Sequence, residues 1–229
     1  MIKEFHINID DTQIDLLNKK IELTRWPDEI NNKYWSHGTS MSFLKDLSKY
    51  WINDFNWRTH EQALNDIGSY KFSSQSGLDI HFLHAKSNQK NSLPLVMTHG
   101  WPGSIQEFIK VIPLIQEQSD RPIDIICPSL PGFGFSDKPK DLGMNSEQMA
   151  KIQHELIMAL GYKQYIVQGG DWGATVSKWM AELFPQNCIG IHLNLVIAFP
   201  PNTKNPMKGV TDKELKLLEN FNKYKTHGY

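Results

Sequence analysis

The sequence predicts an α/β fold, a mostly parallel sheet with helices on both faces, preceded by a helical amino-terminal segment. Three observations predict it. Between residues 78 and 199, short apolar runs alternate with amphipathic helical stretches, the pattern of a parallel sheet covered on both sides. The step "GGDWGA" at 169–174 joins one such run to a helix through a glycine-bounded turn. The first third of the chain has another rhythm, polar-rich with apolar residues at helical spacing.

Ile14, Leu17 and Ile21 share one helical face, with Asp10, Asp11 and Thr12 as candidate caps. In "SFLKDLSKYWINDF" (42–55), Phe43, Leu47, Tyr50, Trp51 and Phe55 follow a period of about 3.6. "FNWRTHEQALN" (55–65) reads as a short second helix. "LDIHFLHA" (78–85) alternates as a strand does and is entered through Gly77. "LPLVMTHG" (93–100) reads as a buried strand, and 104–118 as a helix that Pro113 kinks or limits. A second buried strand spans 123–127, followed by the glycine- and proline-rich loop 128–139. A helix over 146–161 has Ser146 as its cap and Gly161 as its stop. "YIVQGG" (165–170) is strand-like, 172–184 is helical up to Pro185, and 189–199 is strand-like again. "TDKELKLLENFNKY" (211–224) is one more polar helix.

With 229 residues, 40% of them apolar and 11% aromatic, the chain suits one large domain or a domain with an appendage. The net charge is −1 and the basic residues are scattered, which gives no footprint for nucleic acid and no polybasic membrane patch. The start carries no signal-like apolar core, and no run of about 20 apolar residues occurs. These features predict a soluble cytoplasmic protein. Cys127 and Cys188 have no metal-ligand spacing and read as buried free thiols. No metal or cofactor is expected. Gly132-x-Gly134 is not a dinucleotide fingerprint, and no Gly-Lys-Ser/Thr phosphate loop occurs.

Asp171 admits two readings. Aspartate is a good helix N-cap, and Gly-Gly-Asp before a helix needs no further role. Yet Gly169-x-Asp171-x-Gly173 has the glycine spacing of a nucleophile elbow, with aspartate in place of serine. That turn is tight and costly for most residues, and larger side chains two positions away on either side would collide. The helix that follows favours negative charge at its start.

"HGWPGS" (99–104) weighs on the choice. It follows the first buried strand, where an elbow enzyme draws one oxyanion-hole N–H; the other comes from the residue after the nucleophile. Gly100, Trp101 and Pro102 are placed to form that loop, with the backbone N–H groups of Trp101 and Trp172 as donors. His99 reads as a brace for the loop rather than a catalytic group. The two tryptophans read as pocket walls, with core aromatics as the alternative.

"HGWPGS", "PSLPGFGFS" (128–136), "LGYKQYIVQGGDWGA" (160–174) and "IHLN" (191–194) together resemble the microsomal-type epoxide hydrolases of the α/β-hydrolase superfamily. "LTRWPDE", "YWSHG" and "WINDFNWRTHEQALN" are similar to that family's amino-terminal segment, which wraps around the core. The resemblance covers nearly the whole chain. It implies three regions: a wrapping segment (1–75), the first part of an α/β-hydrolase core (76–199) and the start of a cap (200–229).

It also implies a reaction: attack of Asp171 on a small-molecule epoxide, an ester on Asp171, and its hydrolysis to a diol, as in detoxification. A carboxylate is already ionised at neutral pH and needs no base to attack. The family's first cap tyrosine, which protonates the epoxide oxygen, corresponds to Tyr229. Its second cap tyrosine, late acidic residue and final histidine have no counterpart here, since only His192 and His227 follow Asp171. The expectation is therefore a truncated chain with an incomplete fold and no turnover alone. The alternatives are an inactive remnant or a binding module, and, as a minor reading, a haloalkane dehalogenase. The sequence does not indicate an oligomeric state.

Overall fold

A computed structural model of the chain describes residues 1–29, 35, 38–196 and 202–227. These form two compact units, Met1–Leu195 and Val196–Tyr229.

In the first unit the described residues form one sheet of seven strands. They are β1 (Ile2–Glu4), β2 (Ser69–Ser73), β3 (Asp79–Ala85), β4 (Leu93–Thr98), β5 (Ile123–Pro128), β6 (Tyr165–Gly169) and β7 (Cys188–Leu193). Their order in space is β1-β2-β3-β5-β4-β6-β7. The strands β5, β4, β6 and β7 run parallel, as the alternation with helices requires. β1, β2 and β3 extend the sheet antiparallel, with β3 pairing Leu83 to Cys127 of β5. The sequence reading did not include β1 or β2.

The helices of this unit are α1 (Asp11–Glu22), α2 (Met41–Asn53), α3 (Trp57–Ile67), α4 (Val111–Gln118), α5 (Ser146–Ala159) and α6 (Trp172–Leu183). Successive residues of a strand point to opposite faces, and the core divides accordingly. On one face Val96, Ile126 and Val167 pack with Leu156 of α5 and with Val176 and Met180 of α6. On the other, Met97, Ile125 and Cys127 pack with Leu64 of α3, with Phe108 and with Ile112 of α4. Both faces of β4 and β5 are thus covered, which is why their runs are continuously apolar.

Several expectations are corrected in detail. The 104–118 stretch is two elements, a 3₁₀ turn (Ile105–Phe108) and α4, and Pro113 sits in the first turn of α4, where its missing N–H costs nothing. Asn145, not Ser146, caps α5: its side chain accepts from the Gln148 N–H, while the Ser146 hydroxyl bonds Thr175. Asp10 caps α1 through the Thr12 N–H. Cys127 is fully buried, but Cys188 is only partly so, because it opens the edge strand β7. Strand β7 ends at Leu193, and residues 197–199 of the predicted strand lie outside the described residues.

The amino-terminal segment is clasped by α3. Glu61 accepts from the Ile9 N–H at 2.7 Å, from Trp57 Nε1 at 3.0 Å and from Arg58 at 2.7 Å. Asn65 pairs with both the N–H and the carbonyl of Ile7. In the second unit, α7 (Asp212–His227) opens with a capping box between Thr211 and Glu214.

Candidate active site

Strand β6 enters α6 through Gly170 and Asp171. Asp171 has φ 51° and ψ −125°, a left-handed conformation that costs an L-residue about 1–3 kcal/mol. It stands at the N-cap position, yet its side chain makes no capping hydrogen bond. Instead its Oδ1 accepts the backbone N–H of Trp101 at 2.9 Å. Capping alone therefore does not account for the residue. The start of α6 supplies a favourable dipole for a carboxylate in this place.

The glycines permit the approach. A Cβ on Gly100 would lie 2.5 Å from both Cβ and Oδ1 of Asp171, so any side chain there would push the carboxylate away. A Cβ on Gly173 would run into the Thr98 carbonyl at the end of β4, and one on Gly169 into the Gly173 carbonyl. The elbow is thus wedged between the ends of β4 and β6 and the first turn of α6.

The 99–104 loop lies against the elbow. The Trp101–Pro102 peptide bond is cis. Ser104 and Glu107 close the loop with a capping box on the 3₁₀ turn. His99 is 1% exposed; its Nε2 lies 3.1 Å from the Leu130 N and its Nδ1 2.9 Å from the Gly100 carbonyl. Burial holds its pKa below the ordinary histidine value, so the ring is neutral. Both nitrogens are committed to backbone groups.

Trp172 is the first residue of α6, so its N–H has no partner within the helix. Trp101 and Trp172 are 66% and 54% exposed. They are not core aromatics. Tyr229 lies outside the described residues.

Three neighbours were absent from the sequence reading as site residues. The Thr98 hydroxyl donates to Gln153 Oε1 of α5 at 2.9 Å, tying the end of β4 to that helix. Asn194, just past β7, gives its N–H to the Gly169 carbonyl at 3.0 Å and lies beside Gly170. Its position at the carboxyl end of a parallel strand was a usable signal, since ligands of α/β sheets bind there. His81 braces the 128–136 loop from β3: its Nδ1 lies 2.9 Å from Ser129 Oγ, and its N–H donates to Ser136 Oγ at 2.9 Å. That loop turns at Gly132 and Gly134, with φ 85° and 51°.

A cavity of about 850 Å³ lies between α5 and residues 139–144 and is lined by none of the predicted site residues. Among the described residues, no cluster of three or more His, Cys, Asp and Glu side chains could hold a metal ion, and no helix is long and apolar enough to cross a membrane.

Two family profiles match the chain, one described as "Epoxide hydrolase N terminus" over residues 2–108 and one as "alpha/beta hydrolase fold" over 94–217. The chain is 34% identical to epoxide hydrolase 1 of Sus scrofa over 97% of its own length and 53% of that protein's. It is similar to the crystal structure of juvenile hormone epoxide hydrolase from Bombyx mori (TM-score 0.79, 37% identity, 85% of this chain, 53% of that one). It is also similar to the structure of Aspergillus niger epoxide hydrolase (TM-score 0.84, 28% identity, 99% of this chain, 60% of that one). The chain spans about half the length of the curated relatives it matches.

Proposed function

Because the chain belongs to the epoxide hydrolase family of the α/β-hydrolase fold, we propose that Asp171 is the nucleophile that opens a small-molecule epoxide. The observation that carries the reading is the Asp171 carboxylate, held at a positive φ with one oxygen on the Trp101 N–H.

The two oxygens then have different fates. Oδ2 attacks the epoxide carbon, the carbon–oxygen bond of the ring breaks, and the alkoxide takes a proton from a cap tyrosine, Tyr229 in this reading. Oδ1, already on the Trp101 N–H, becomes the ester carbonyl oxygen. When water attacks that carbonyl, the negative charge develops on Oδ1, where the Trp101 and Trp172 N–H groups stabilise it. Collapse breaks the ester bond; one proton of the water goes to the departing oxygen, which leaves as the diol, and the other returns to the tyrosine as the carboxylate re-forms. Gly100, Gly169 and Gly173 let the parts approach, while His99 and Pro102 shape the loop.

Hydrolysis of the ester needs a base for the water. His99 cannot serve, because both its ring nitrogens are occupied. In this reading the base and its acidic partner belong to the part of the family pattern without counterpart in these 229 residues, and the chain by itself does not turn over. A match to the epoxide hydrolase N terminus supports this substrate class over a haloalkane. The location we propose is cytoplasmic.

The test is diol release from styrene oxide by residues 1–229. At most one diol per chain is expected, and none from Asp171→Ala. Many diols per chain would show that a base within these residues had been overlooked.

A further inference from the structure

The His99 ring links two backbone groups of fixed character. A carbonyl can only accept a hydrogen bond, so Nδ1, 2.9 Å from the Gly100 carbonyl oxygen, carries the proton. A backbone N–H can only donate, so Nε2, 3.1 Å from the Leu130 N, is bare. One neutral tautomer satisfies both, and burial stabilises it against protonation.

The Gly100 carbonyl and the Trp101 N–H belong to one planar, conjugated peptide unit. We infer that His99 is a positioning residue that polarises this unit and so strengthens the donor held against Asp171, an inference that rests on the proposed role of Asp171. The link runs from Nδ1–H to the Gly100 oxygen, through the peptide, and from the Trp101 N–H to Asp171 Oδ1, at 2.9 Å in each hydrogen bond. Linked hydrogen bonds strengthen one another by roughly 10–30%; the His99 half of this link is buried and the Trp101 half is exposed. The demand on the Trp101 N–H is greatest when Oδ1 carries the full charge of the tetrahedral intermediate, so His99 acts mainly on ester hydrolysis. The Nε2 end is anchored: Leu130 follows Ser129, which His81 holds from β3. Glu107, whose charge acts on the ring, is engaged by the Ser104 N–H.

A mere brace would need only one end of this link, and two variants separate the ends. His99→Asn offers an amide N–H where Nδ1 stood, with nothing in place of Nε2. His99→Gln reaches the Nε2 position and leaves the Gly100 carbonyl without its donor. His99→Phe removes both. In ¹⁵N-labelled residues 1–229, the Trp101 amide proton is expected at the same low field in wild type and His99→Asn, and moved upfield in His99→Gln and His99→Phe. After one exposure to styrene oxide, the ester on Asp171 should persist roughly two- to tenfold longer in the latter two, a fraction of the roughly 10²–10³ that a whole oxyanion donor is worth.

Equal Trp101 frequencies in all four proteins would overturn the inference, as would a frequency kept by His99→Gln and lost in His99→Asn. Should no variant fold, the wild-type tautomer decides: a proton on Nδ1 with a bare Nε2 supports the inference, and a proton on Nε2 overturns it. If wild type forms no ester, the role of Asp171 falls, while the Trp101 frequencies still decide the polarisation.

Discussion

The backbone N–H of Trp101 donates to Asp171 Oδ1 across 2.9 Å, although 70 residues separate the two in sequence. The contact joins the loop after β4 to the turn after β6, and it requires Gly100 to lack a side chain.

Gly100→Ala should move the Asp171 carboxylate off the Trp101 N–H, because the added Cβ would lie 2.5 Å from the carboxylate's own atoms. Crowding of this kind costs about 1–3 kcal/mol of stability. Ester formation from styrene oxide should fall with it. Denaturant unfolding combined with adduct formation measures both; an unchanged adduct yield would contradict the packing described.

Asp171→Gly should stabilise the protein relative to Asp171→Ala by about 1 kcal/mol, since glycine takes up φ 51° without strain and alanine does not. The comparison of the two melting midpoints checks it. Equal midpoints would mean that the turn is not strained.

Acid should destabilise the fold through two buried histidines. Burial, aided by Lys71, lowers the His81 pKa from 6.5 to about 3. Burial and Lys86, partly offset by Asp124, lower that of His84 to about 4. Both rings are neutral in the folded chain, whereas the unfolded chain takes up protons below pH 6.5. Stability is therefore full above pH 6.5 and declines as pH falls toward 4, by about 1.4 kcal/mol per pH unit for each histidine. Urea unfolding from pH 7 to 4.5 measures the slope, which His81→Gln should reduce; a flat profile would contradict the account.

Glu61→Ala should release the amino-terminal clasp. It leaves the Ile9 N–H and Trp57 Nε1 without their acceptor and Arg58 without a partner on α3. A loss of about 2–3 kcal/mol is expected. Hydrogen exchange should rise first at residues 5–9, and protection there as in wild type would rule out the clasp.

What could be read from the sequence follows from burial. β4 and β5 are covered on both faces, so their runs are apolar without interruption and were found, as was the elbow, whose spacing is dictated by backbone contact. β1 and β2 escaped because they are short, lie toward the sheet edge and carry polar residues on their open sides. The place of His99 in the loop after β4 is readable, but the partner of each ring nitrogen is not, because Leu130 meets it only in three dimensions. Thr98, Gln153 and His81 carry no motif. Their contacts, Thr98 to Gln153 Oε1 and His81 to Ser129, join segments far apart in the chain and become visible only in the packed structure.

The most direct test of the central claim is peptide mapping of residues 1–229 after exposure to styrene oxide. The account predicts one added epoxide per chain, located by tandem mass spectrometry on Asp171 and absent from Asp171→Asn. No adduct, or an adduct that persists in Asp171→Asn on another residue, would contradict it.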